Sequence, residues 1–297
     1  MTAPSPSPSA VPQVRTDNPV LGSLYMTLAM AFYVLNDSLI KFVGDVLPLG
    51  TILVVRGGFA IALIIVLALA TGALKHWRTM FTKPVLLRAS FDTLATFLFL
   101  TALFHLSIAI ATAILQTVPL VVMLFGAVFL NERIGWRRIL AIFVGFAGVL
   151  LVVQPGTSGF NNYAILVLGV VILVAIRDTT TRQLPAQTPS LLVTLANVLM
   201  VTLAGSLYAS YEGFEAVSIN QTLIMACASV FVVAATMFVI LTMRAAEIST
   251  TAPFRYSAII WSLASAFIVF NEVPNILAII GMVLIAGAGL YSLFRSR

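Results

Sequence analysis

Apolar residues run along this chain in blocks of roughly 20, the length that a bilayer core demands, with short polar links between them. Ten such blocks lie near 19–44, 49–70, 85–104, 108–130, 137–153, 162–177, 188–209, 219–243, 248–270 and 274–294. The pattern predicts an all-α polytopic membrane protein of ten transmembrane helices. Two short stretches echo each other within it. FLNERIGW (Phe129 to Trp136) closes the fourth block and VFNEVPN (Val269 to Asn275) the ninth, with the Asn-Glu pairs 140 positions apart. Upstream, IAIATA (Ile108 to Ala113) stands at the same offset from ISTTAP (Ile248 to Pro253). The echo predicts a duplication, with one five-helix repeat over 19–153 and another over 160–295. An odd number of spans per copy places the copies in opposite orientations, the inverted-repeat plan of many secondary transporters.

Composition agrees. The chain has 297 residues, 61% hydrophobic and only 9% charged, with a mean hydropathy of +1.09. A soluble domain carries about 25% charged residues, so this chain lacks the material for a wettable surface. The net charge of +6 then points to loops facing an anionic leaflet, not to a nucleic-acid partner. With the N-terminus placed in the cytoplasm, 13 Lys and Arg residues fall on inside segments and only Lys41 outside, while Arg56 and Arg255 lie within spans. That bias predicts both termini in the cytoplasm. Residues 1–18, rich in Pro and Ser, are expected to form a disordered cytoplasmic tail without the apolar centre of a cleaved signal. Cys227, the single cysteine, reads as a small apolar residue inside a helix, and no Cys/His metal spacing occurs.

Ionisable groups at bilayer depth are costly and therefore functional candidates. Asp37 lies four residues before Lys41, and Asp92 four after Arg88, so each acid has a neutralising base on its own helix face. Each also remains a candidate for proton or ion coupling. His105 reads as an interfacial residue. Arg56 and Arg255 have no acid on their own helices. Two readings stand for them: an interhelix pair, with Asp37 or Asp92 as partner, or contact with a substrate in a wet cavity. Pro253 beside Arg255 favours the cavity, because a broken helix is tolerated where neighbours or water satisfy the freed carbonyl. Gln116, Thr117 and Pro119 set a second possible kink in the fourth span, and Gly57 and Gly58 are expected to allow close helix packing.

The absent motifs narrow the class. No GxxxxGK[ST] loop, HExxH pair or carboxylate cluster occurs, so ATP hydrolysis and metal-diphosphate chemistry have no residues to carry them. An integral membrane enzyme is a remote alternative, and no filter-like run favours a channel.

With the paired Asn131-Glu132 and Asn271-Glu272, ATAILQTVPLVVML, and the five-plus-five layout, the chain resembles the drug/metabolite transporter superfamily in its ten-span EamA branch. NDSLIK, VVRGGFA and TAPFRY resemble the bacterial carriers that take up riboflavin and S-adenosylmethionine. The resemblance implies a central cavity between the repeats, opened to each side in turn, with Asn36, Asp37, Arg56, Gln116, Arg255 and Tyr256 around the substrate. Asn36 would hydrogen-bond the substrate or fix the helix, and Asp37 would bind a proton or a cationic group. Arg255 would hold an anionic or carbonyl-rich group, with Tyr256 stacking on a ring. The expectation is uptake of a small polar heterocycle, riboflavin ahead of S-adenosylmethionine, with export of amino acids or other metabolites as the alternative. No cofactor, metal or oligomeric state is assigned; the partners are a small-molecule substrate and the lipid bilayer.

Overall fold

The computed structural model describes residues 18–129, 135–156, 160–181, 188–246 and 251–294. The tail 1–17 and the first Asn-Glu pair, Asn131-Glu132, lie outside these residues. Every regular element among them is a helix. The α-helices are α1 (Pro19–Gly44), α2 (Leu49–Ala70), α3 (Lys83–Leu103), α4 (Ile108–Leu115), α5 (Val118–Phe129), α6 (Trp136–Val153), α7 (Tyr163–Thr181), α8 (Ser190–Glu212), α9 (Ile219–Ala245), α10 (Ser257–Phe270) and α11 (Ile276–Phe294). Two 3-10 segments, Ala73–Phe81 and Ala252–Tyr256, precede α3 and α10.

Eight helical stretches in this set are long and apolar enough to cross a membrane, with α4 and α5 acting together as one of them and Ala252–Phe270 as another. The remaining two of the ten expected spans correspond to Ile139–Val153 and Ile276–Ser292, which are apolar but only 10–17 residues long. They are the apolar parts of α6, 18 residues long, and α11, 19 residues long, which at 1.5 Å per residue reach about 27–29 Å, close to a hydrocarbon core of about 30 Å.

Helix boundaries follow local chemistry. Asn18 caps α1 by accepting the Leu21 amide at 3.0 Å, and Pro19 occupies the first turn, where no amide donor is needed. Ser218 and Gln221 form a reciprocal capping box on α9. Asn271 ends α10 in the left-handed region (φ 53°). Gln154 ends α6 the same way (φ 52°), and its amide pairs reciprocally with Asn275, at 2.7 and 3.0 Å, just before α11.

The most extensive packing joins α1 to α9, α2 to α8, α3 to α7 and α6 to α11. Each pair is antiparallel. On α2 and α8, Gly50 meets Ala209, Gly205 meets Leu53, and Gly57 meets Thr202. On α6 and α11, Gly145 approaches Ala288, while Gly148 and Gly281 face each other backbone to backbone. Small residues at these crossings let main chains approach where no water-driven force pulls helices together. Gly58 does not share this role: it is exposed, with nothing within 4 Å of where its Cβ would be.

Candidate functional site

The fourth span breaks at Gln116 and Thr117, between the end of α4 at Leu115 and the start of α5 at Val118. Thr117 Oγ1 donates to the Ile114 carbonyl at 2.6 Å. Across from it, Ala252–Tyr256 forms a 3-10 segment that leads into α10, with Pro253 in its first turn. Gln116 Nε2 donates to the Arg255 main-chain carbonyl at 2.6 Å. A carbonyl at membrane depth needs a donor, and here the break in the fourth span supplies one to a carbonyl of the 3-10 segment, beside the local Ser257 amide.

The Arg255 side chain is partly buried and makes no ion pair with any described residue. Tyr256 is buried against α11: a Cβ added at Gly289 would lie 1.7 Å from its hydroxyl oxygen. Among the described residues that hydroxyl has no hydrogen-bond partner, and neither does the neighbouring Ser257 Oγ.

A second polar group lies further along α1. Asn36 is only 3% exposed, and its amide nitrogen donates to Asp37 Oδ1 at 2.8 Å, while its own Oδ1 is buried without a partner. Asp37 interacts electrostatically with Arg56 on α2, yet the two do not come within the 4.0 Å of an ion pair. Arg56 Nε is likewise buried and unpartnered. The Arg56 carbonyl accepts from Ser229 Oγ of α9 at 2.8 Å, which fixes the backbone beneath the guanidinium. Asp37 precedes the end of α1 by seven residues and Arg56 follows the start of α2 by seven, so both lie roughly 10 Å from the helix ends.

Helix α1 borders both groups. It runs parallel to the 3-10 segment and α10: Gly22 abuts Thr251, and Ser38 Oγ lies 2.6 Å from Ser265 Oγ. Arg255 therefore lies beside α1 about ten residues below Asp37, roughly 15 Å along the axis. The structure thus brings Asn36, Asp37 and Arg56 into one cluster, and Gln116, Arg255 and Tyr256 into another.

Asp92 belongs to neither cluster. It pairs with Arg177 of α7, which also holds Asp178 at 2.8 Å, while Arg88 Nε donates to Thr181 Oγ1 at 2.9 Å. Arg88 feels all three charges of this α3–α7 clasp, so the neutralisation of Asp92 expected along α3 is shared with α7. Lys41 corrects the sequence reading outright. Its ammonium turns away from Asp37, donating to the Leu106 carbonyl at 2.6 Å and to Glu272 Oε1 at 3.0 Å, over the Phe270 ring. The second Asn-Glu pair thus joins a helix cap to a part-buried ion pair. His105 stacks on Tyr163 with ring centroids 3.9 Å apart.

Arg177 and Asp178 went unremarked in the sequence, though a signal exists. RDTTTR (Arg177 to Arg182) matches NDSLIK (Asn36 to Lys41) at an offset of 141, and the same offset carries Arg56 onto Asn197. Asn197 Oδ1 is also buried without a partner. A cleft of about 380 Å³ between α2 and α9 lies apart from all these groups; its lining, with Leu63, Val66, Val230 and Met237, is apolar and suits acyl chains.

Residues 20–154 match the EamA-like transporter family. The chain is 24% identical over 190 residues to an S-adenosylmethionine uptake transporter of Rickettsia prowazekii, a match that spans 63% of each protein. It is 25% identical to a riboflavin transporter of Vibrio cholerae, over 86% of this chain and 87% of that one. A pseudopaline exporter, CntI, of Pseudomonas aeruginosa is 24% identical over 90% of this chain and 94% of its own. A crystal structure only 16% identical superposes with a TM-score of 0.68, covering 94% of this chain and 99% of that one, which shows a shared fold.

Proposed function

We propose that this chain is a secondary carrier of the bacterial inner membrane that takes up a small polar, ring-bearing metabolite by alternating access. The observation that carries this reading is the bond from Gln116, at the break in the fourth span, to the Arg255 carbonyl in the 3-10 segment, with a guanidinium beside them that has no ion-pair partner among the described residues. Unwound backbone and an unneutralised charge at membrane depth belong beside a watered cavity.

Ten spans in two inverted repeats, 19–153 and 160–295, give that cavity its two sides. The repeat reading is supported by the packing: α2 crosses α8 antiparallel and α6 crosses α11 antiparallel, as helices related by an axis in the membrane plane must. It is further supported by the NDSLIK and RDTTTR echo. The concentration of Lys and Arg on one set of links supports cytoplasmic termini.

Asn36, Asp37, Arg56, Gln116 and Arg255 are the residues proposed to meet the substrate, and Asp37 and Asp92 those proposed to couple a proton or ion. Tyr256, packed on Gly289, is proposed to position Arg255 in this conformation and to meet the substrate only when α10 moves. The distance of roughly 15 Å between the clusters favours an elongated molecule, polar at both ends. The similarity to uptake proteins for S-adenosylmethionine and riboflavin supports the same class. Export is the second reading, favoured by the long match to the pseudopaline exporter.

Uptake of labelled S-adenosylmethionine and labelled riboflavin into proteoliposomes holding the purified full chain tests the proposal. Saturable entry of either, competed by the unlabelled compound and lost in Arg255→Ala, is the expected result. Absence of flux in both directions from correctly inserted protein would remove it.

A further inference from the structure

The cleft between α2 and α9 holds about 380 Å³, the size of a small-molecule site, and every residue lining it is apolar. It follows α9 from Val230 to Leu241, roughly 16 Å of helix, and meets α2 at Leu63, Val66 and Leu67. Leu67 is three residues from the end of α2, and Leu241 four from the end of α9. The cleft therefore runs toward the membrane surface at which both helices finish.

At that surface the chain turns through Gly72 (φ 70°) into the 3-10 segment Ala73–Phe81. The segment has two faces. Leu74 and Met80 pack in the same apolar cluster as Leu63, Leu67 and Val233 of the cleft wall. Lys75, Trp77 and Arg78 are exposed, with the Arg78 guanidinium over the Trp77 ring. Neither Lys75 nor Arg78 forms an ion pair with any described residue. No Asp or Glu occurs anywhere between Asp45 and Asp92. A tryptophan with basic neighbours above an apolar face suits a segment lying at the head-group level of a bilayer. One apolar cluster thus joins a chain-shaped hollow to two cations that lack acids.

We propose that this cleft and the 3-10 segment form a binding site for a phospholipid of net negative charge. One acyl chain lies along α9 in the cleft, and Lys75 and Arg78 hold the phosphate, the guanidinium through its fork. Charge complementarity favours this occupant. A zwitterionic lipid would bring a cation of its own to two bases with no acid to receive it. A second copy of this chain, packed about a two-fold axis, would set the same two bases against themselves. The site lies apart from Asp37 and Arg255, and it does not depend on the carrier reading.

Native mass spectrometry of the full-length protein tests this, with equal amounts of phosphatidylglycerol and phosphatidylcholine of the same acyl chains. About 20-fold enrichment of phosphatidylglycerol in the first bound lipid is expected, from two basic residues at about fivefold each. Arg78→Gln should lower it about fivefold, and Lys75→Gln with Arg78→Gln should abolish it. Arg137→Gln is the matched control. Arg137 also lies over a tryptophan ring, Trp136, but at the start of α6, which packs on α11, α4 and α5. That variant should keep the full enrichment. Ala234→Trp fills the cleft and should remove the enrichment with every basic residue in place. The glutamine changes fall on exposed side chains, so they still judge the site where the tryptophan variant fails to fold. Equal binding of the two lipids overturns the inference, as does enrichment that survives the double variant or a folded Ala234→Trp. An equal loss in Arg137→Gln does the same. Displacement of the lipid by inorganic phosphate would make this a free-anion site, and a dimer dissolved by Ala234→Trp would give the cleft to a second copy; either overturns it.

Discussion

The Gln116 side-chain amide donates to the Arg255 main-chain carbonyl at 2.6 Å, across 139 residues of sequence. It joins two places where the chain has departed from the α-helix. Gln116→Leu keeps the volume and removes the interspan donor, so the carbonyl keeps only the local Ser257 amide. The expected cost is about 1–3 kcal/mol, seen as a lower thermal midpoint in detergent. Transport should fall further than stability does, because the carbonyl fixes the segment that carries Arg255. A variant with unchanged flux and a lowered midpoint would confine Gln116 to a structural role.

The Lys41–Glu272 pair makes an asymmetric prediction. Lys41 is nearly buried and serves two acceptors, whereas Glu272 keeps about a third of its side chain exposed (8% against 35%). Lys41→Met strands both the Leu106 carbonyl and a carboxylate, at a cost of about 3 kcal/mol. Glu272→Gln leaves the ammonium its carbonyl and a neutral amide, and should cost less than half as much. Thermal midpoints of the two variants and of the double variant check this; additive effects would show that the two side chains do not act as a pair.

Arg177 has two acidic partners, which predicts redundancy. Either Asp92→Asn or Asp178→Asn leaves one carboxylate in place and should cost about 1 kcal/mol or less. The double variant strands Arg177 between α3 and α7 and should cost about 3 kcal/mol or more. Expression yield and thermal midpoint measured on the three variants decide; a double variant no worse than the sum of the singles would refute the clasp.

Adjacent glycines should behave oppositely. A Cβ on Gly57 would lie 2.0 Å from Thr202 Oγ1, so Gly57→Ala must push α2 from α8. Gly58 faces open space, and Gly58→Ala should stabilise its helix by roughly 0.5–1 kcal/mol. Parallel thermal scans of the two variants settle the contrast, which fails if they shift in the same direction.

Much of this architecture was legible in the hydrophobic pattern, because a bilayer imposes one length on every span. The break at Gln116-Thr117 was legible too, since polar side chains and Pro119 interrupt an otherwise apolar run. Lys41 misled for a physical reason. The spacing rule that pairs it with Asp37 is local, and its actual partner, Glu272, is 231 residues away. The Asn271-Glu272 motif was visible as a repeat, but nothing in one sequence says that Asn271 adopts a left-handed cap or that Glu272 turns toward α1. The relation of Arg177 to Asp92 was hidden likewise: each acid had a nearer base on its own helix to claim it.

The antiparallel pairings carry a consequence for how the chain is made. Helix α3 finds its main partner in α7, α2 waits for α8, α1 for α9, and α6 for α11, each made later than its partner. Contacts therefore close outward from the middle of the sequence, and the glycine face of α6 around Gly148 stays open in the lipid until Gly281 arrives. A nascent chain stalled before that point would present this unfilled groove to the membrane's quality-control proteases, which makes α11 the helix that certifies the α6 face.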